Sequence, residues 1–199
     1  ILHIETPPEQ LVISGGLFHG LQLWVNLPAA QKMVSPAYQN LDADQVKLFT
    51  TPDAGTLVRL IAGDIAGIQG PGSTRTPIVM AHATILPGSQ MVLPWNPAFN
   101  ALAHVVKGSG FVGIDRHAFS VGHTAVFGTG DSITLAASPH EALDVILLGG
   151  QPIGEPVEQY GPFVMNTRAE LQQAMDDYQR GRLGTVPSGG VQPYRGPRK

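Results

Sequence analysis

Seven histidines and no cysteine limit the chemistry open to this chain of 199 residues. Without thiols there is no disulfide framework, no thiolate metal site and no cysteine nucleophile. Imidazoles and carboxylates remain. The opening Ile1-Leu2-His3-Ile4-Glu5 sets His3 and Glu5 two residues apart, a spacing that puts both on one face of a strand. Taken alone, that pair reads as a strand with two outward polar residues. His19 precedes an apolar alternation, His82 and His104 sit in apolar runs, and His117, His123 and His140 lie near turn signals. They read as satisfied or exposed imidazoles, not as a second metal cluster. Asp131 and Asp144 suggest a carboxylate pair, but Asp131 follows Gly130 in a turn and is expected to bond its own backbone. Neither a Gly-x-Ser-x-Gly elbow nor a phosphate-binding loop is present.

The elements that must position these groups are mostly short strands. Leu21, Leu23, Val25 and Leu27 alternate with Gln22, Trp24 and Asn26, which predicts a strand ended by Pro28. A short helical piece is expected around Ala29 to Met33. From Ser35 to Pro52 the text is polar and turn-rich, as in a connection between domains. An apolar run from Leu57 to Ile68 follows. Further runs at Ile78–Leu86, Ala101–Val106, Phe111–Ile114, Thr124–Phe127, Ser132–Ala136 and Ala142–Leu148 are separated by Gly, Pro or Asp. That spacing predicts a sandwich or small barrel. Lys107-Gly108-Ser109-Gly110 reads as a hairpin turn. One helix is clear: Thr167-Arg168-Ala169-Glu170 is a capping box, with Leu171, Ala174, Met175 and Tyr178 on one face and Gly181 and Gly184 as stops. Residues 185–199 read as a flexible tail.

Bulk composition agrees. Hydrophobic residues make up 43% and charged residues 14%, values of a well-buried globule and not of a disordered chain. The 24 glycines and 17 prolines punctuate the apolar runs. A net charge of −3 with scattered basic residues argues against direct nucleic-acid binding. Apolar stretches such as Val145 to Leu148 are too short to span a bilayer, and no signal-peptide pattern opens the chain. The absence of cysteine is compatible with a reducing compartment, and a cytoplasmic location is expected. Because the chain starts at Ile1, inside apolar text, it reads as a fragment.

Two resemblances follow from named residues. Gly88 and Gly108 resemble the ends of a cupin motif, with Pro94, Asn96 and Ala101 in the slots where that motif has metal ligands. Gly122, Gly128 and Gly130 resemble the second motif, with Ile133 in its histidine slot. This predicts a barrel that keeps cupin geometry and holds no metal. The segments His19-Gly20-Leu21-Gln22-Leu23-Trp24-Val25-Asn26-Leu27-Pro28, Thr74-Arg75-Thr76-Pro77, His123-Thr124-Ala125-Val126 and Gly161-Pro162-Phe163-Val164-Met165-Asn166-Thr167 resemble pirin segments in the same order. The resemblance runs from Ile1 to about Gly184.

It implies an all-β fold: a cupin-type β-barrel (double-stranded β-helix) with one C-terminal helix, plus a remnant of a second cupin. Residues 1–50 would be that N-terminal remnant and linker, 51–150 the C-terminal barrel, and 151–184 a return segment with the helix, whose apolar stripe would pack on the remnant or on a neighbouring chain. Pirins hold iron in the first barrel by three His and one Glu. By the resemblance His3 and Glu5 are two of those ligands, with Glu5 also the candidate catalytic base, and two upstream His lie outside this chain. An imidazole and carboxylate set suits non-haem Fe(II). The expected activity of the intact parent is quercetin 2,3-dioxygenase, acting on a flavonol-like small molecule, and this chain alone is expected to hold iron weakly and to be inactive. The alternative is an iron-dependent regulatory protein that binds a protein partner such as a transcription factor.

Overall fold

The computed structural model describes residue 7 and residues 9–184. His3 and Glu5 and the tail 185–199 lie outside the described residues. The chain divides into two compact units, 37–153 and the pair of segments 1–36 and 154–199.

The larger unit is made of strands, because its apolar residues alternate. In chain order they are β1 (Lys47–Thr50), β2 (Thr56–Ala62), β3 (Asp64–Ile65), β4 (Ile68–Gln69), β5 (Ile78–Ile85), β6 (Gln90–Pro94), β7 (Asn100–Lys107), β8 (Ser109–Val112), β9 (His117–Ser120), β10 (Thr124–Val126), β11 (Ser132–Ala137) and β12 (Leu143–Gly150). Strands β1-β2-β5-β12-β7-β10 form a six-stranded sheet and β6-β11-β8-β9 a four-stranded one. Every other residue of β2 and β5 is buried, the period of a sheet with one face on the core. Val58, Leu60, Ala81, Ala83, Val105, Val145 and Leu147 of the large sheet meet Met91, Leu93, Ile133 and Leu135 of the small one in one core. Burying each Leu or Ile side chain contributes roughly 1.5–3 kcal/mol.

Three local expectations are corrected. The stretch from Ser35 to Pro52 is not wholly a connection: Lys47–Thr50 forms β1, antiparallel to β2, with Phe49 opposite Val58 and packed on the core. The turn at Lys107–Gly110 joins no hairpin. β7 pairs with β12 and β10, whereas β8 pairs with β11 and β9, so the chain changes sheets there. Gly108, at φ +81°, is required because a Cβ would strike the carbonyl of Ala142. Lastly, Leu21–Leu27 forms no strand, and Leu21, Trp24 and Val25 are exposed. Alternation supplies a face, but a strand also needs a neighbour for its N–H and C=O groups, and no described strand pairs with this segment.

The second unit contains α1 (Glu9–Ser14), a 3-10 turn at Ala29–Gln31, the hairpin β13 (Glu158–Tyr160) and β14 (Phe163–Met165), and α2 (Arg168–Gln179). Its two segments are tied together by polar contacts. Glu155 Oε2 accepts from Ala29 N at 2.6 Å and from Asn166 Nδ2 at 2.9 Å, while Lys32 Nζ donates to Val164 O at 3.4 Å. α2 begins as its capping box predicts, with Thr167 Oγ1 accepting from Glu170 N at 3.2 Å. The reciprocal bond to the cap's backbone N–H is displaced by one residue: Glu170 Oε2 accepts from Asn166 N at 3.1 Å and from the Thr167 hydroxyl at 2.9 Å. The helix ends in a Schellman motif, with Arg182 N bonded to Asp177 O, Gly181 N to Tyr178 O, and Gly181 at φ +70°. Of the apolar stripe, Leu171 is buried, Ala174 and Met175 are half-buried, and the exposed Tyr178 sets its ring edge-on to Phe163. The helix packs on the β13–β14 hairpin, within the unit that also contains segment 1–36.

Candidate functional site

Three places bear on chemistry, and the first is the position where a cupin would bind metal. The motif count placed Pro94 and Asn96 in ligand slots, but both are exposed. Strand alternation sends Leu93 (3% exposed) and Trp95 (7%) inward instead, so the inward frame is shifted by one residue. Ala101 and Ile133 are buried as their slots require, and Ile133 lies opposite Leu93 in the β6–β11 pairing. Leu93, Trp95, Ala101 and Ile133 offer no lone pair to a cation except through the backbone. The donor set does not fit a metal ion. Among the described residues no group of three or more His, Asp or Glu is arranged to hold one.

The second place is a polar cluster on the face of the six-stranded sheet turned away from the core. Arg59 of β2 stands opposite His82 of β5, and Thr84 of β5 opposite Asp144 of β12. Arg59 Nη1 donates to Thr84 Oγ1 at 2.9 Å, and Thr84 Oγ1 donates to Asp144 Oδ1 at 2.6 Å. His82 Nε2 lies 3.3 Å from the same carboxylate oxygen, yet its geometry makes no hydrogen bond. Burial of the ring, seconded by the Arg59 charge, holds the His82 imidazole below its usual pKa against the opposing pull of Asp144. Sequence reasoning left His82 as a satisfied core imidazole; cross-strand register is what links it to Arg59 and Asp144. Asp131 and Asp144 do not form a pair, since Asp144 bonds Thr84, and Asp131 accepts from the hydroxyl of Ser132 at 3.1 Å instead of from its own backbone. His104 and His123 are tied to neighbouring hydroxyls, His104 Nδ1 to Thr124 Oγ1 at 2.7 Å and His123 Nδ1 to Ser120 Oγ at 3.4 Å.

The third is a cleft of ≈ 320 Å³ in the larger unit, between the β3–β4 hairpin and the chain after β6, with Asp64, Trp95, Asn96 and Phe99 in its wall. Nothing in the sequence singled it out, because its walls come from segments about thirty residues apart.

A core of this kind, shared by a six-stranded and a four-stranded antiparallel sheet, is that of a cupin-type β-barrel. The Pirin C-terminal cupin domain model matches residues 80–184, and the chain belongs to the pirin family. It is 39% identical over 187 residues to Pirin-1 of Arabidopsis thaliana and 35% identical over 186 residues to Pirin of Homo sapiens, in each case over 92% of this chain and 62% of the relative. The chain thus spans less than two thirds of the length of these relatives. Among solved structures, a quercetin 2,3-dioxygenase from Acinetobacter baumannii superposes with a TM-score of 0.76 at 32% identity, over 82% of this chain and 56% of that one. No described helix is long and apolar enough to cross a membrane.

Proposed function

We propose that this chain is the C-terminal portion of an iron-dependent pirin with quercetin 2,3-dioxygenase-type activity in the intact parent. The observation that carries the reading is the likeness, at 32% identity over 82% of the chain, to a structure described as a quercetin 2,3-dioxygenase. The donor set of the first barrel fits Fe(II): His3 supplies an imidazole and Glu5 a carboxylate, and two further imidazoles would come from residues upstream of Ile1. Bound iron would supply coordination positions for the oxygens of a flavonol and for O₂. Glu5 would serve as ligand and hold the proton released from the flavonol hydroxyl. The second barrel contributes no donor, and its role in this reading is to support the first.

On this reading the chain by itself binds iron weakly and does not turn over, because two of four ligands and most of their supporting shell are missing. The comparison is iron content by elemental analysis, and loss of quercetin absorbance under air, for this chain beside a longer version carrying the upstream His-x-His. Iron and bleaching are expected only in the longer protein. Stoichiometric iron with turnover in this chain alone would overturn the assignment of His3 and Glu5. An apolar second barrel also favours an alternative, an iron-dependent regulatory protein that docks a protein partner. Iron binding without flavonol bleaching in the longer protein would select it.

A further inference from the structure

We propose that the cleft beside the β3–β4 hairpin is a second binding site, for a small flat organic cation of the amidinium or amino-heterocycle class. It lies in the barrel whose cupin position lacks metal-binding side chains and is independent of the iron reading.

Asp64 is the acidic group of the cleft. Its Oδ1 accepts from Gly67 N at 2.9 Å, which leaves Oδ2 without a protein partner among the described residues. No Lys or Arg lines the cleft to neutralise it. Asn96 is oriented by its own turn: Oδ1 accepts from Ala98 N at 3.0 Å, so Nδ2 is a donor without a protein partner among the described residues. Pro77, Ile78, Pro94 and Phe99 add apolar wall. One free anion, one free donor and flat apolar sides match a ring that carries a charged donor group and an acceptor on its edge. Phosphates and carboxylates are disfavoured by the charge of Asp64.

The walls are preformed. Gln39 ties down the loop before β5, donating to Pro71 O at 3.0 Å and accepting from Ser73 N at 2.7 Å, and Thr74 Oγ1 donates to Thr76 O at 2.8 Å. The hairpin tip carries a second sign of function. Ala66 and Gly67 both have positive φ, 54° and 82°, the conformation in which Asn-Gly is favoured and alanine is strained. Strained non-glycine residues concentrate at ligand sites, and Ala66 lines this cleft.

Benzamidine and benzoate share a ring and differ in the sign of their charge. Each is titrated into the full 199-residue chain and followed by backbone amide chemical shifts. Benzamidine is expected to shift the amides of Asp64, Asn96 and Phe99 with a Kd on the order of 1 mM, and benzoate to leave them unmoved. Asp64→Asn retains Oδ1 for Gly67 N, so the hairpin persists, and is expected to weaken benzamidine binding about tenfold. The proposal is overturned if both compounds shift the cleft alike, if neither does at about ten times that concentration, or if Asp64→Asn binds benzamidine as before.

Discussion

Thr56 shows how a single polar atom is decided by its surroundings. It is fully buried, and its hydroxyl has no hydrogen-bond partner among the described residues, although its N–H is met by Thr51 Oγ1 at 3.1 Å. An unsatisfied buried hydroxyl costs roughly 1–3 kcal/mol. Thr56→Val keeps the shape and the backbone bond, and is expected to raise unfolding free energy by about 1 kcal/mol in urea denaturation. His82 gives a pH dependence instead. Its folded pKa lies below the ordinary 6.5, so between the two values the unfolded chain binds a proton that the folded chain refuses. Stability therefore falls as pH drops through that window. Urea midpoints measured downward from neutral pH should show this loss, and His82→Gln should flatten it.

At the scale of elements, α2 is held by its ends as much as by its face. Only Leu171 of the helix is buried, so capping carries an unusual share of its stability. Thr167→Ala removes the acceptor for Glu170 N and is expected to cost about 1 kcal/mol, read as a lowered midpoint in a circular dichroism melt. Glu170→Gln should cost less, since its side-chain oxygen still accepts from Asn166 N. Both helix ends were legible in the sequence because caps are local: each bond spans five residues or fewer. The strand expected at Leu21–Leu27 failed for the opposite reason. Its alternation is as regular as that of β5, but pairing is non-local, and no described strand pairs with the segment as β2 and β12 pair with β5.

For the molecule as a whole, burial is uneven. Strands β5, β12 and β7 sit in the middle of the large sheet with partners on both edges, whereas residues 15–28 have no regular structure and expose Leu17, Phe18 and Trp24. Amide exchange follows local opening. The central strands are expected to exchange at the rate of global unfolding, and residues 15–28 within the shortest labelling times, as measured by hydrogen–deuterium exchange. Slow exchange across 15–28 would show that this segment is paired in solution.

Composition and punctuation alone predicted an all-β sandwich or small barrel with one capped helix, and the resemblance of four named segments to pirins narrowed this to a cupin barrel. Period-two burial and capping are properties of neighbouring residues, so they are written in the local text. Side-chain direction at Pro94 and Asn96 was not. A motif count gives spacing, but the inward frame depends on which face of the β6 sheet is turned to the core, and that frame put Leu93 and Trp95 inside. The change of sheet at Gly108, the Arg59–Thr84–Asp144–His82 cluster and the Asp64 cleft likewise arise from residues brought together by strand register and chain crossing. Only the tertiary structure decides such contacts, because their energy depends on partners tens of residues away.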